Sequence, residues 1–272
     1  MTAAPRRPVP QRVRLGHVEW VEQRMSSRDW LILETVNRLK LVTTSQLDHI
    51  HFFTLHGRSQ VVTRGRVIRR LIAWRVLMAL PRRVGGAGHG SAATVLALDS
   101  TGRRLLAQRH AGGGVRFAGL PGERTVAHTL AVSELYAALV EQARTRGMVA
   151  VVAYEAEPSS WWPNGFGGYV KPDAYTLLAG DGIRDHWWLE VDRATESMPT
   201  LMRKALAYLD FYQSGQLGPG GIVPRVMFSV PSEQRRNAVH QMIASLPEPA
   251  SALFFVALDR ETAFALLSTL KE

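Results

Sequence analysis

A glycine-rich stretch at residues 110–122, HAGGGVRFAGLPG, interrupts every regular pattern in the chain. Glycine at this density carries a high entropic cost in any helix or strand, and the proline removes a backbone donor as well. We therefore expect a linker at residues 110–123. A length of 272 residues leaves room for one modest domain on each side of it. The chain is predicted to fold in two parts.

The net charge changes sign at the same place. Residues 1–120 contain 20 Lys and Arg against 6 Asp and Glu, whereas residues 121–272 contain 13 against 17; the whole chain has a formal net charge of +10. A strongly basic half suggests a module that binds a polyanion, and double-stranded DNA is the partner that we expect for it. The mildly acidic half is expected to have a different task.

Composition excludes several classes of protein. The chain contains no cysteine, which rules out disulfide scaffolds, cysteine-ligated zinc, iron–sulfur clusters and thiol nucleophiles. Hydrophobic residues make up 46% and charged residues 21%, as in ordinary globular proteins. No apolar run approaches the roughly 18 residues of a membrane span, so we expect a cytoplasmic protein without a membrane partner. The phosphate-loop motif of nucleotide hydrolases is also missing from the sequence.

The basic half has the layout of a winged helix-turn-helix. Residues 26–109 show helical periodicity in three consecutive segments, followed by two extended segments around the glycine-rich turn GGAGHG. Three helices followed by a hairpin are typical of this DNA-binding module. Residues 1–25 are basic, and we expect them to form an arm without regular structure.

The third helix of this module is where DNA contacts are expected. Val61, Ile68 and Ile72 share a stripe that would face the domain core, while arginines recur on the opposite side at steps of three and four residues. Such a helix fits the major groove, where guanidinium groups reach phosphates and guanine edges. A helix that is merely charged on its solvent side is the alternative. The expected DNA-contacting residues are Arg58, Ser59, Arg66, Arg69 and Arg70 on the helix, and Arg82 and Arg83 on the hairpin.

The second half, residues 124–272, alternates helices and strands. The pattern predicts a helix, a strand and a hairpin of residues 169–178 and 186–192, and then helix, strand, helix, strand and helix. That order favours a mixed sheet with helices on both sides. The predicted fold class is therefore α+β, with a winged helix-turn-helix followed by an α/β domain.

An acidic group of residues lies on the second strand of that hairpin. In WWLEVD, residues 187–192, the side chains of Trp188, Glu190 and Asp192 share one face. Two acids on one face repel each other and are costly to bury, so a metal ion, a basic residue or water must compensate. Asp173, from KPDA on the preceding strand, is expected to join them. Three converging carboxylates suit Mg²⁺, which takes hard oxygen ligands.

This arrangement resembles the core of the PD-(D/E)xK nucleases, with an acid after a proline on one strand and an acid pair on the next. The resemblance implies a restriction-endonuclease-like domain in which Asp173, Glu190 and Asp192 bind Mg²⁺ and Lys204 stabilises developing charge at phosphate. The family pattern has lysine where this chain has Asp192, so Lys204 on the following helix would replace it. An internal ion-pair network of Asp192, Arg193 and Lys204 is the alternative.

A larger pattern resembles the replication-relaxation family. It consists of the basic winged helix, the sequence AHTL at residues 127–130, KPDA, LEVDRATES at residues 189–197, and a helix with Lys204 and Tyr208. The resemblance covers residues 27–215, and LEVDRATES is its most specific part. It implies binding to double-stranded DNA, and a role in the replication or DNA relaxation of plasmids and integrative elements of Gram-positive bacteria.

Three functions follow as hypotheses. The first is a DNA-binding protein of a plasmid or integrated element that acts in its replication, DNA relaxation or regulation, with a nuclease-like second domain that is either active or catalytically degenerate. The second is a Mg²⁺-dependent DNA nuclease or nickase, and the third is a winged-helix transcriptional regulator. A homodimer is a further expectation.

Two weaker signals lie in the second half. Trp161 and Trp162 stand beside a glycine-rich loop, where they either stack on an unpaired base or plug the end of the sheet. His128, on the long helix, is expected to be a hydrogen-bonded core residue rather than a metal ligand.

Overall fold

The computed structural model describes residues 13–80, 93–110 and 123–271. In the first part of the chain, up to residue 110, helices surround a small antiparallel sheet. The elements are α1 (Leu15–Glu22), α2 (Ser27–Leu39), β1 (Val42–Thr43), α3 (Thr44–His51), α4 (Gly57–Ala73), β2 (Leu77–Ala79), β3 (Val95–Leu98) and α5 (Ser100–Arg109). The strand order is β1-β3-β2.

Two reciprocal caps fix where helices of this part begin. Before α2, the Ser26 hydroxyl accepts a hydrogen bond from the backbone N–H of Asp29, and the Asp29 carboxylate accepts one from the N–H of Ser26. Thr43 and Gln46 form the same arrangement at the start of α3. Each cap satisfies two amide groups, including one that the first helical turn leaves without a partner. Local sequence therefore determines these boundaries.

The predicted helices and hairpin strands of this part are present, but the wing is not described. β2 and β3 pair with each other. Residues 81–92 between them, which include Arg82 and Arg83, lie outside the described residues. The winged-helix assignment therefore stays a prediction.

The expectation that residues 1–25 lack regular structure is wrong for the end of that segment. α1 is a helix, and its Val18 and Val21 side chains are fully buried in the core of the first part. The His17 ring nitrogen Nε2 also lies 3.1 Å from the carbonyl oxygen of Trp74. Burying a valine side chain stabilises the folded state by roughly 1.5–3 kcal/mol. This burial orders a segment whose own composition does not favour a helix. Residues 1–12 lie outside the described residues.

The second part is built on a five-stranded sheet. The elements are α6 (Glu123–Arg146), β4 (Val149–Ala156), β5 (Trp162–Pro163), β6 (Tyr169–Val170), β7 (Ala174–Gly180), β8 (Ile183–Val191), α7 (Met198–Gln213), β9 (Arg225–Val230), α8 (Glu233–Ala244), α9 (Ala250–Leu253), β10 (Phe254–Leu258) and α10 (Asp259–Ser268). The strand order is β10-β9-β8-β7-β4, in which β8, β9 and β10 are parallel and β7 is antiparallel to both of its neighbours. This confirms the predicted mixed sheet flanked by helices. Within the described ranges, no helix combines the length and apolar character of a membrane span.

One predicted strand, residues 169–178, is divided in two. Its first residues form β6, which pairs with β5 in a separate two-stranded ribbon, while the main sheet resumes only at Ala174. Pro172 lies in the gap, and proline has no N–H to donate to a strand ladder.

The alternation predicted for β8 separates two hydrophobic cores. Trp187, Leu189 and Val191 pack on the side of the sheet that α6 and α10 cover. Trp188 packs on the other side, among residues of α7, α8 and α9. Glu190 points to the same side as Trp188, as the strand period requires, and this places its carboxyl group against α7.

Helix α6 connects the two parts of the chain. A single hydrophobic cluster runs from α1 and α2 through α6 to β4, β8 and α10. Polar contacts also cross this junction: Gln46 Nε2 donates to the Leu130 carbonyl at 3.0 Å, and Ser133 Oγ donates to the Leu41 carbonyl at 2.6 Å. The two predicted domains therefore share one core. Residues 111–122, which connect them, lie outside the described residues.

Candidate functional site

Helix α4 buries one side and leaves the other in solvent. Val67, Ile68 and Leu71 are buried against the core of the first part. Val61, which we predicted on the core side, is 54% exposed, so this part of the prediction is wrong. The core side is centred on Val67 and Leu71 instead.

Two arginines of α4 are held by acids inside the protein. Arg70 Nη2 donates to both carboxylate oxygens of Asp29, at 2.6 and 2.7 Å, and Asp29 is fully buried. Arg64 forms an ion pair with Asp48 of α3. The two pairs tie α4 to α2 and to α3. Arg70 is therefore not on the open side of the helix, where we predicted it.

The other predicted residues of α4 lie together on its solvent side. Arg58, Ser59, Arg66 and Arg69 are exposed and, at about 100° per residue, they surround Val62 opposite the buried side. Among the described residues, none of these three arginines has a hydrogen-bond or ion-pair partner. We call these four residues the α4 basic face.

Gly65 lies beside the α4 basic face. No other part of the described protein comes within 4 Å of the point where a Cβ would be. Close packing against the described residues, a common reason for glycine inside a helix, therefore does not account for it. Glycine at such a position costs about 1 kcal/mol relative to alanine. Its effect is to leave the helix backbone bare next to Arg66 and Arg69.

A second group of functional residues lines a small pocket in the second part. Ala174 of β7 pairs with Leu189 of β8, and the residues next to this pair, Asp173 and Glu190, are close enough for their charges to interact. Asp173 Oδ2 accepts a hydrogen bond from the Val191 N–H at 2.7 Å, and Oδ1 lies 3.2 Å from Nε2 of His128 on α6. We call this the acidic pocket; its polar lining comprises His128, Asp173, Glu190, Asp192, Arg193, Thr195, Glu196 and Lys204.

Glu190 is the most deeply buried acid of the acidic pocket. One of its oxygens lies 2.9 Å from Lys204 Nζ, and the other accepts a hydrogen bond from the Tyr208 hydroxyl. Burial, and then the charge of Asp173, raise the pKa of Glu190 to about 8 against the opposing effects of Lys204 and Tyr208. Burial alone would lower the pKa of Lys204, but Glu190 and Asp173 outweigh it and raise that pKa. Lys204 therefore stays charged at neutral pH.

Asp192 is engaged elsewhere. Its Oδ2 accepts a hydrogen bond from Nε of Arg235 on α8, and its Oδ1 accepts one from the Ala194 N–H at 2.8 Å. Arg235 also donates to the carbonyl of Glu196 at 2.7 Å. An ion pair is thus present at Asp192, as the alternative interpretation expected, but its partner is Arg235 rather than Arg193.

The three carboxylates predicted to bind Mg²⁺ all line the acidic pocket, but they are not placed as one set of metal ligands. Asp173 and Glu190 are neighbours, but Asp192 is turned to Arg235. Both oxygens of Glu190 and both of Asp192 accept hydrogen bonds from protein donors. Within the described ranges, no group of three or more His, Asp or Glu side chains is placed to hold a metal ion. The residues present do not fit the metal that the nuclease resemblance implies.

Two neighbours of this pocket gave a weak signal or none in the sequence. His128 is hydrogen-bonded, as predicted, but its partner Asp173 places it in the pocket lining, and that bond raises the pKa of His128. The sequence AHTL contains this histidine and was the only pointer to it. Arg235 gave no signal at all, because it lies 43 residues from Asp192 in the chain.

One protein-family model matches well over half of the chain. The family model described as replication-relaxation matches residues 33–226. No curated protein and no solved structure matches the chain. The matched range contains α4 and the whole lining of the acidic pocket, whereas Arg235 lies just beyond it.

Proposed function

We propose that this chain, which belongs to the replication-relaxation family, binds double-stranded DNA through the α4 basic face. The binding would serve the replication of a plasmid or integrated element, as the family resemblance implies. α2, α3, α4 and the β2–β3 hairpin would act as a winged helix-turn-helix, with α4 in the major groove.

The observation that carries this proposal is the difference between arginines on one helix. Arg64 and Arg70 have acidic partners, whereas Arg58, Arg66 and Arg69 are exposed and have none among the described residues. Guanidinium groups left free of such partners on one helix face are suited to contact phosphates and base edges in a groove. Mutual repulsion of like charges on one helix costs stability, and DNA removes that cost when it binds.

Gly65 supports the same interpretation. Because nothing in the described part of the protein fills the space beside it, the absence of a side chain does not serve internal packing. Bare helix backbone between arginines allows a sugar–phosphate strand to approach closely, which is a recognised use of glycine at ligand contacts.

The test is a titration of duplex DNA with the full chain over a range of salt concentrations. The logarithm of affinity should fall linearly with the logarithm of salt, with a slope of about −0.9 for each phosphate contacted. The double variant Arg66→Ala/Arg69→Ala should bind more weakly and lower the steepness of that slope by about 2. Wild-type binding that is absent, or indifferent to salt, would overturn the proposal.

A matched control separates the α4 basic face from overall charge. The double variant Arg184→Ala/Arg260→Ala removes the same charge from exposed positions in the second part. It should retain the wild-type affinity and slope. An equal loss in both double variants would mean that only the net charge matters, and α4 would then not be the contact surface.

The geometry does not favour the Mg²⁺-dependent nuclease as a second function, because Asp192 is paired with Arg235 and the three predicted ligands, though they line one pocket, are not placed to hold a metal ion. In our proposal the acidic pocket supports the fold through its ion pairs, and the second part gives α4 a rigid base through α6. The regulator hypothesis shares the DNA contact and differs only in the process that the contact serves.

A further inference from the structure

The ribbon of β5 and β6 presents an aromatic ring to solvent at its turn. Phe166 is 76% exposed, and Tyr169, at the start of β6, is 55% exposed. Two large exposed rings on one short ribbon are unusual, because each forgoes the free energy that burial would provide.

The turn is held by specific hydrogen bonds. The Asn164 side-chain oxygen accepts from the backbone N–H of Phe166 at 3.0 Å and from that of Gly168 at 2.9 Å, and the Asn164 N–H donates to the Gly168 carbonyl. Gly165 and Gly167 have φ values of +79° and +80°, a conformation that other residues rarely adopt. Phe166 is therefore displayed by a turn with a defined shape.

The base of the ribbon is anchored to the second part. Trp162 packs against the core on the α7 side of the sheet, and its Nε1 donates to the Leu217 carbonyl at 3.0 Å. Ser160 Oγ donates to the Pro172 carbonyl at 2.6 Å. Of the two earlier interpretations of the tryptophans, the anchoring one describes Trp162. The rings free to stack are Phe166 and Tyr169.

The charged side chain that directly follows the ribbon is a cation. From residue 158 to residue 170 the ribbon has no charged residue, and Lys171 follows directly, with its Nζ 4.7 Å from the centre of the Trp161 ring. Val170 is buried with Leu201 of α7, a residue that also lines the acidic pocket. A cation next to exposed rings fits a nucleotide, whose base can stack on a ring while its phosphate meets the cation.

We propose that Phe166 and Tyr169 stack on an unpaired base where duplex DNA is melted or branched. The inference rests on the proposed DNA binding and adds a second contact of a different kind, since stacking reads no sequence and needs a base outside the double helix. Lys171, at the end of the ribbon, holds the adjoining phosphate.

The experiment compares two DNA probes with the same protein: a blunt duplex, and the same duplex extended by two unpaired oligothymidine arms. The wild type should bind the forked probe more tightly than the blunt one. Phe166→Ala/Tyr169→Ala should lose about tenfold in affinity for the forked probe and leave the affinity for the blunt probe unchanged. Phe166→Trp should retain the preference, because it keeps a stacking ring.

Phe264→Ala is the matched control, since Phe264 is also exposed, at 61%, but lies on α10. It should not alter either affinity. A forked probe that carries 5-iododeoxyuridine in one arm should crosslink, on irradiation, to a peptide within residues 161–171.

The outcomes separate the two proposals. If the wild type binds both probes equally, or crosslinks elsewhere, the stacking inference is overturned while duplex binding stands. If blunt duplex binding is absent but the forked probe is bound through Phe166, the proposed role of α4 fails and the stacking inference stands. If Phe166→Ala alters only the oligomeric state, the ribbon is a protein interface and the inference is wrong.

Discussion

The acidic pocket and the α4 basic face differ in whether their charged side chains have partners within the protein. In the acidic pocket, Glu190 and Asp192 have protein partners for both of their carboxylate oxygens. On the α4 basic face, three exposed arginines have none among the described residues. Buried polar and charged groups must have hydrogen-bond partners for the fold to be stable, whereas exposed charges are free to remain unpaired.

This difference indicates which surface binds a partner. The acidic pocket is a conspicuous cluster of charged residues, but most of its polar groups have partners within the protein. The arginines of the α4 basic face are less conspicuous in the sequence, but they have no hydrogen-bond or ion-pair partner among the described residues. On a protein surface, the unpaired charges are the ones available to bind something else.

The largest expected effect distinguishes paired from unpaired arginines on the same helix. Arg70→Ala should lower the free energy of unfolding by about 3 kcal/mol, because it leaves the buried Asp29 charge without its partner. Arg69→Ala should change it by less than about 0.5 kcal/mol, since that side chain is exposed. Urea unfolding followed by tryptophan fluorescence measures both. Equal effects would remove the distinction between the two kinds of arginine.

A smaller effect concerns pH. Because burial and Asp173 raise the pKa of Glu190 to about 8, the folded state holds a proton there that the unfolded state releases above its ordinary pKa of 4.5. Stability from this group is therefore complete below about pH 4.5 and is lost as the pH rises through about 8. Thermal unfolding should show the melting temperature falling by at least about 2–4 °C between pH 5 and pH 9, equivalent to about 1 kcal/mol.

The control for this pH effect is a pair of Glu→Gln variants. Glu190→Gln should flatten the fall in melting temperature, because the amide cannot titrate. Glu22→Gln, at an exposed position of α1, should leave the fall as it is in the wild type. A profile of Glu190→Gln identical to that of the wild type would assign the pH dependence to other groups.

Gly65→Ala should act in opposite directions on folding and on DNA binding. Alanine favours the helix by about 1 kcal/mol, and the added Cβ meets open space. The free energy of unfolding should therefore rise, while duplex affinity falls because the methyl group keeps a strand at a distance. Chemical denaturation and DNA titration of the same preparation measure the two quantities. A rise in both would show that nothing approaches this part of α4.

The smallest effect is that of Mg²⁺. A bound ion would stabilise the folded state according to its concentration and affinity. We expect millimolar Mg²⁺ to leave the melting temperature unchanged and supercoiled plasmid uncut, because the predicted ligands are already engaged by protein donors. Cleavage that disappears in Asp173→Ala would reverse this comparison and make the acidic pocket a catalytic site.

The sequence predicted local structure well and long-range pairing poorly. Three helices, the alternation of β8 and the mixed sheet follow from residue periods that operate within a few turns or strand steps. The placement of Arg70 and Asp192 could not be obtained in this way, because their partners are 41 and 43 residues away. α1 was missed because its order comes from burying two valines in a core made by later residues.

For the candidate site the limit is of the same kind. The residue types and the shared strand face identified Asp173, Glu190 and Lys204 as neighbours, and the structure brings these three together. Whether a carboxylate faces a metal ion or an arginine depends on the helix packed over the sheet. Arg235 comes from α8, whose position over β9 and β10 is set by packing rather than by any motif.

Helix α6, which is 24 residues or about 36 Å long and packs against both parts, limits how the chain can be divided or recombined in evolution. Since one core cluster includes side chains of α2, α6 and α10, neither part of the chain can be exchanged or lost without uncovering the other. Two separate polypeptides, ending and beginning on either side of the glycine-rich stretch, should each be unstable alone and should associate when mixed. Natural recombination between relatives should accordingly preserve the chain as one unit, even though its sequence looks like two.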